Sequence, residues 1–457
     1  MRPEPFSYMI VVALAAVVTV ALVPAFVWLS RRFGAVALPD ERRVHQAPTP
    51  ALGGGAMYLG FVVAFVYAWH SGHFTALFAN TSEPWAILAG ATVAYGVGLL
   101  DDVKELSPPA KLAGLSLAGA VLALGSVGII WFRVPFLDVF ILPYDLAFVV
   151  TVVWVLGMAN ALNFIDGLDG LAAGIVAIGA AAFLLYGLQL AHAELLLPGN
   201  IGPLVAATVV GACLGFLPWN VHPAKIFMGD GGSLFLGVMM AASTMAVGGR
   251  TPDPYSGQTF FFYAPLVIPL VILGVPILDT AFAIVRRAKS GRSLASADRG
   301  HLHHRLMRLG HGHRRTVFLL WAWTLVLSLF VLYPVYNDGR GDAVVPAGVA
   351  AFALALFTLL HPTRRSAGGD QTATGNSTLG GELPGSEPGP NLPPPIDVAV
   401  PAAAVFRPRG PSSPSEPPAR DARPPAAPPN APDRSNNHLR QADDESVTLV
   451  NSSRWPQ

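Results

Sequence analysis

A chain of 457 residues in which 53% of side chains are hydrophobic and only 12% charged, with mean hydropathy +0.50, is too apolar for a water-soluble domain. Its formal net charge of +1, with no basic stripe and no aromatic-basic ladder, gives no footing for a nucleic-acid partner. The single cysteine, Cys213, lies in an apolar run, which excludes an intrachain disulfide and reads as a small buried hydrophobe. The expectation is an all-α, polytopic integral membrane bundle.

In chain order, stretches of the length that crosses a bilayer fall at 8–29, 52–70, 85–100, 112–131, 146–163, 170–190, 202–219, 233–248, 262–286, 317–336 and 343–361, giving 10 or 11 spans. The first is longer than a signal-peptide core and has no small-residue cleavage site before Arg31 and Arg32, so it reads as a span. Lysine and arginine are unevenly placed. The odd-numbered loops carry 16 of them, whereas the N-terminus and the even-numbered loops hold only Arg2, Arg133, Arg250 and Arg340. Positive charge stays inside, so the N-terminus is expected outside, with the odd loops and the C-terminus in the cytoplasm of a plasma-membrane protein. From His361 onward, 97 residues hold 19 of the 41 prolines. Such a segment cannot bury enough apolar surface to offset its ordering entropy. The chain therefore divides into a membrane catalytic domain, 1–361, and a disordered Pro-rich cytoplasmic tail, 362–457, whose Pro-Pro-Pro run at 393–395 reads as solvated linker before it reads as a ligand for a proline-recognition domain.

Polar islands with reactive side chains gather in the cytoplasmic loops. Asp101-Asp102-Val-Lys104-Glu105 closes the third span, and adjacent carboxylates repel unless a cation or a shared proton separates them. Asn160-Ala-Leu-Asn163-Phe-Ile-Asp166-Gly-Leu-Asp169-Gly170 puts two carboxylates and two amides at a helix mouth, where ionised groups are costly without a function. Asp166 and Asp169 would share a helix face if the sixth span began there. Either could merely cap it, which would leave the two amides unexplained. Pro223-Ala-Lys225-Ile-Phe227-Met-Gly229-Asp230-Gly231-Gly232-Ser233 is a glycine-rich turn entering a helix. Its backbone N–H groups and Lys225 suit phosphate, and Asp230 suits a hard cation such as Mg²⁺. Asp298-Arg299-Gly300-His301-Leu302-His303-His304-Arg305 lacks the cysteines or zincin-type glutamate of a zinc site. It reads as a collar for polyanionic phosphate.

Together with Pro39-Asp40-Glu41-Arg42-Arg43-Val44-His45 leading to Pro50-Ala-Leu-Gly53-Gly54, these motifs resemble, in order, the polyprenyl-phosphate N-acetylhexosamine-1-phosphate transferases (glycosyltransferase 4 family). The resemblance runs from about residue 8 to 361. The Asp-Arg-Gly-His-Leu-His-His-Arg-Leu form and the arginine-rich first loop are similar to the undecaprenyl-phosphate N-acetylglucosamine-1-phosphate transferase branch. The pentapeptide branch, phospho-N-acetylmuramoyl-pentapeptide transferase, usually shows three adjacent histidines followed by Phe-Glu, absent here. Leu302 stands where the family has isoleucine.

The resemblance implies that a UDP-N-acetylhexosamine, foremost UDP-N-acetylglucosamine, gives its sugar 1-phosphate to undecaprenyl phosphate in the membrane lipid, releasing UMP. The lipid-linked product would begin a cell-envelope glycan such as lipopolysaccharide or teichoic acid. It implies Mg²⁺, with Mn²⁺ as substitute, on Asp230 aided by Asp101, Asp102 and Asn163. It assigns catalytic roles to Asp101, Asp102, Asp166 and Asp169, and substrate binding to Asn163, Lys225, Phe227, His301, His303, His304, Arg305, Arg42 and His45, with a homodimer as the assembly. Asp279, beside a threonine in the ninth span, reads equally as a buried structural partner. Two other classes remain. An intramembrane prenyltransferase also uses aspartate-rich loops but has no use for the histidines. A transporter should show paired half-helices and polar residues at the midplane.

Overall fold

A computed structural model describes residues 3–37, 48–79, 81–133, 139–197, 199–248, 273–289, 306–307 and 311–337, with isolated positions between 346 and 354. All of these belong to one compact unit, Met1–Asp370. The tail from 362 lies outside the described residues.

The described chain is almost wholly helical. The helices are α1 (Pro5–Phe33), α2 (Gly54–His70), α3 (Thr75–Phe78), α4 (Glu83–Lys104), α5 (Pro108–Leu124), α6 (Tyr144–Ile165), α7 (Leu171–His192), α8 (Gly202–Asn220), α9 (Gly229–Gly248), α10 (Gly274–Lys289) and α11 (His313–Tyr336). Two short antiparallel ribbons join them. The first, β1 (Val36–Ala37) with β2 (Thr49–Pro50), links α1 to α2; the second, β3 (Trp131–Arg133) with β4 (Val139–Ile141), links α5 to α6. Among the described residues, α1, α4, α6, α7, α8, α9 and α11 are long and apolar enough to cross a membrane, and α2 and α5 are shorter apolar helices. This is the all-α, polytopic membrane bundle expected from composition. Of the predicted ninth span, 262–286, only α10 is described, and most of the eleventh, 343–361, lies outside the described residues.

Local chemistry sets several helix ends. Pro5 opens α1, where a missing N–H costs nothing, and Gly34 closes it in the left-handed conformation at φ 70° after Arg31 and Arg32 in the last turn. Pro84, Pro108 and Pro203 likewise stand in the first turns of α4, α5 and α8.

The bundle is built around α9. In its most apolar window 94% of residues are buried inside the protein, against 22% for α1, which marks α9 as a central helix and α1 as a lipid-facing one. Helices α4, α6, α8 and α2 pack on α9, α1 packs on α8, and α11 packs on α7. Glycines allow the closest approaches. A Cβ at Gly54 would collide with the Gly232 backbone, one at Gly98 with the Asp230 carbonyl, and one at Gly237 with Ala159. The surrounding core includes Phe61, Phe65, Phe216, Phe235, Met239 and Cys213, all essentially inaccessible.

Candidate active site

The starts of α2, α5, α7, α9 and α11 and the ends of α4, α6 and α8 meet at one end of the bundle, around the first turn of α9. That turn begins four residues before the predicted 233–248 span, and the reason is tertiary. Asp102, at the end of α4, accepts hydrogen bonds from the Asp230 N–H on Oδ1 (2.7 Å) and the Gly231 N–H on Oδ2 (2.9 Å). A carboxylate from another helix thus caps α9, where its charge also suits the helix dipole. The first-turn N–H groups that the glycine-rich reading offers to a phosphate are therefore taken by the protein itself. Gly229 turns the chain at φ 67° into this contact, and a Cβ there would strike Ala51 and Asp102. The strand-like segment before α2 supports the same turn: the Phe227 N–H donates to the Pro50 carbonyl, and the Gly53 and Gly54 N–H groups donate to the Phe227 and Met228 carbonyls.

Asp230, on the first turn of α9, is the centre of the site. Its Oδ1 accepts from Asn163 Nδ2 at 2.9 Å, and the same amide donates to Ser233 Oγ at 2.9 Å. Its Oδ2 accepts from the Lys111 ammonium, which also reaches Asp101 Oδ2 at 3.1 Å. Asp101 Oδ1 in turn accepts the Leu106 N–H at 2.7 Å, fixing the turn that leads into α5. Lys111 thus puts one positive charge between Asp101 and Asp230, whereas Asp102 is satisfied by backbone N–H groups of α9. Sequence reasoning missed this residue: it counted only towards the charge of a cytoplasmic loop, and its place three residues into α5 after Pro108-Pro109 was the available signal.

Asp166 and Asp169 do not share a helix face. Asp166 is the C-cap of α6, Gly170 is the N-cap of α7 with φ 76°, and the two aspartates sit in the turn between the helices. Neither carboxylate caps α7. Asp166 is partly buried beside Asp230, Asp102 and Asp169; burial first, then repulsion from these three, pushes its carboxyl up to about 8. Asp169 is 9% exposed and accepts on Oδ2 from His222 Nδ1 at 2.6 Å and from the Ala224 N–H at 3.1 Å. Asn220, at the end of α8 and fully enclosed, joins the two loops: its Oδ1 accepts the Gly170 N–H and its Nδ2 donates to the Ile226 carbonyl, both at 3.0 Å. His222 and Asn220 were also missed, the first because a lone histidine beside a proline carries no spacing signal. Lys225 is exposed, with its ammonium 5.1 Å from the Trp219 ring centroid, and Phe227 is partly buried next to it. Asp279 is buried in α10 at 7% exposure.

Arg42, His45, His301, His303, His304 and Arg305 lie outside the described residues. The described positions nearest the histidine segment are Leu306, His311 and the first turn of α11, where Arg314 donates to the His222 carbonyl at 3.2 Å. That contact ties the element following the histidines to the α8–α9 loop.

The family described as glycosyl transferase family 4 matches residues 84–248, which include Asp101, Asp102, Lys111, Asn163, Asp166, Asp169 and Asp230. Over 354 residues the chain is 38% identical to a decaprenyl-phosphate N-acetylglucosaminephosphotransferase of Mycolicibacterium smegmatis (strain ATCC 700084 / mc(2)155), covering 75% of this chain and 86% of that one. It is 38% identical over 333 residues to a Bacillus subtilis (strain 168) protein named "Probable undecaprenyl-phosphate N-acetylglucosaminyl 1-phosphate transferase", covering 72% and 86%. To a phospho-N-acetylmuramoyl-pentapeptide-transferase of Staphylococcus aureus (strain Newman) it is 28% identical over 345 residues, covering 70% and 97%.

Proposed function

The chain belongs to the polyprenyl-phosphate N-acetylhexosamine-1-phosphate transferases of glycosyl transferase family 4, and from that premise we propose that it transfers N-acetylglucosamine 1-phosphate from UDP-N-acetylglucosamine to undecaprenyl phosphate. An oxygen of the acceptor phosphate attacks the β-phosphorus of the donor, the bond from that phosphorus to the bridging oxygen breaks, and UMP leaves. The observation that carries this reading is the Asp230 carboxylate, shared between Lys111 and Asn163 with Asp101, Asp102 and Asp166 around it. Phosphoryl transfer needs positioning and charge neutralisation more than covalent help.

The donor set fits Mg²⁺. Asp230 and Asp101 offer hard carboxylate oxygens that already share one cation, the Lys111 ammonium, and Asp166, raised first by burial and then by its acidic neighbours, lies beside them. Asp230 and Asp101 would hold the ion, Mn²⁺ serving on the same ligands, and when bound it supplies charge neutralisation for the diphosphate. Asn163 orients Asp230 by donating to it, and Asp102 holds the α9 turn in place. Lys111, held between Asp101 and Asp230, would add positive charge beside the donor phosphates. The acceptor needs little help from a base, because a phosphate with a second pKa of about 6 is mostly ionised at neutral pH. Lys225 and Phe227 border the loop that would receive the nucleotide. The lysine and arginine asymmetry supports a cytoplasmic position for this end of the bundle, where nucleotide sugars are found.

The test is UMP release by the purified protein in detergent with Mg²⁺ and undecaprenyl phosphate, offered UDP-N-acetylglucosamine, UDP-N-acetylgalactosamine or the UDP-muramoyl-pentapeptide in separate reactions. Lipid-dependent UMP is expected from the first donor, with a loss of at least about 100-fold in Asp230→Asn. Decaprenyl phosphate, the acceptor in the mycobacterial relative's name, is run in parallel to set chain-length preference. Folded protein that yields no UMP from any donor would overturn the reading.

A further inference from the structure

Asp169, His222 and His313 come from the α6–α7 turn, the α8–α9 loop and the first residue of α11, and their ligating atoms all lie within 4.8 Å of one another. His222 Nδ1 is 2.6 Å and His313 Nε2 3.9 Å from the same oxygen, Asp169 Oδ2. Both ring nitrogens of His313 are buried and take no hydrogen bond, on a side chain only 11% exposed. Within the chain its nearest partner is the Asp169 carboxylate, beyond hydrogen-bond length, so the ring keeps lone-pair capacity that a cation beside Asp169 would use. We propose that Asp169, His222 and His313 form a binding site for a zinc-type divalent cation, separate from the Asp230 site.

Two imidazoles and one carboxylate are the donors of a three-ligand zinc site that keeps a fourth position for water or an anionic oxygen, whereas an all-oxygen set suits Mg²⁺. Bonds of about 2.0–2.1 Å place tetrahedral ligands about 3.3 Å apart. The present triangle, with one side at 2.6 Å and none above 4.8 Å, reaches that size with shifts of about 1.5 Å or less in each ligating atom, within the reach of side-chain rotation. The imidazoles now stack, with centroids 4.3 Å apart and planes at 25°. One ring must therefore swing out of the stack for the two lone pairs to converge. The supports are in place: the Ala224 N–H steadies the Asp169 oxygen at 3.1 Å, and Arg314 holds the His222 carbonyl. A bound ion would pin the turn carrying Asp166 and the loop carrying Lys225 to the start of α11. No sequence motif marks the site, because its ligands are spread over three distant segments and none belongs to the His301–His304 cluster.

The experiment reads bound metal, not turnover, so it stands or falls apart from the transferase reading. Full-length protein in detergent is stripped with chelator, equilibrated with Zn²⁺ alone, freed of excess ion and counted by plasma mass spectrometry. One zinc per chain is expected in the native protein and in Asp230→Asn, with retention at least tenfold lower in His222→Ala and in His313→Ala. Because those variants could fold poorly, Co²⁺ is also titrated into the native protein, where intense visible absorption from a four-coordinate nitrogen–oxygen site is expected. Absence of retained zinc, a zinc count that both histidine variants leave unchanged, or a weak six-coordinate cobalt spectrum would each overturn the proposal.

Discussion

At the scale of single residues, the site depends on side chains whose two ends do different things. Asp102 has both carboxylate oxygens engaged by the α9 backbone, so its first effect is on the position of Asp230. Asn220 is 2% exposed and bonds both loops through one amide. Asn220→Ala leaves a buried N–H and a buried carbonyl unpaired and should cost about 2–4 kcal/mol, measured as a lower midpoint of thermal unfolding in detergent; an unchanged midpoint would show that the loops are held elsewhere. Asp166 gives a pH signature with a defined sign. Its carboxyl titrates near 8 in the folded protein against an ordinary 3.8, so between those values the folded state keeps a proton that the unfolded chain has released. Its contribution to stability therefore declines as pH rises from about 4 and is lost through about 8. In metal-free buffer the unfolding midpoint should fall over that range, and Asp166→Asn should flatten the slope.

At the scale of elements, α9 is positioned by what its neighbours lack. Gly54 on α2 and Gly98 on α4 let those helices touch the first turn of α9, which carries Asp230. Alanine at either position forces backbone apart and should cost about 1–3 kcal/mol, together with activity, because Asp230 moves with the turn. Gly96 lies two residues from Gly98 on the same helix, and a methyl group added there would meet nothing within 4 Å. Gly96→Ala should be neutral or stabilise by about 0.5–1 kcal/mol through helix propensity. Thermal unfolding of the three variants checks the contrast, and equal effects would remove close packing as the explanation. The helical periods and apolar lengths that mark α4 and α9 are visible in sequence, but nothing in the spacing of Gly98 tells which backbone it meets.

At the scale of the whole molecule, the polar ends of eight described helices collect at one end, and the flanks of the bundle between its two ends expose apolar side chains. Phe6, Met9, Trp28 and Leu124 are exposed, as lipid-facing residues are. The charge asymmetry predicts an orientation for that bundle, and Cys213 makes the prediction simple to test, because the only cysteine is fully buried. Single cysteines placed at exposed His73, after α2, and exposed Ser107, before α5, lie at opposite ends of the bundle. In intact cells a membrane-impermeant maleimide should label His73→Cys directly and Ser107→Cys only after permeabilisation. The reverse pattern would place the site on the outer face.

Membrane residence, the polytopic helical class and the polar islands at 101–102, 160–170 and 225–233 are legible in sequence because a carboxylate or amide in an apolar chain is expensive and therefore conspicuous. Local composition also determines the helix ends set by proline and glycine. What each polar group bonds to was decided by tertiary structure alone: Asp102 as the cap of another helix, Lys111 between Asp101 and Asp230, Asn220 across two loops, and His222 and His313 against Asp169. These contacts join residues from different helices, and the distance between two side chains across a bundle depends on packing, which leaves no period or spacing in the chain to read.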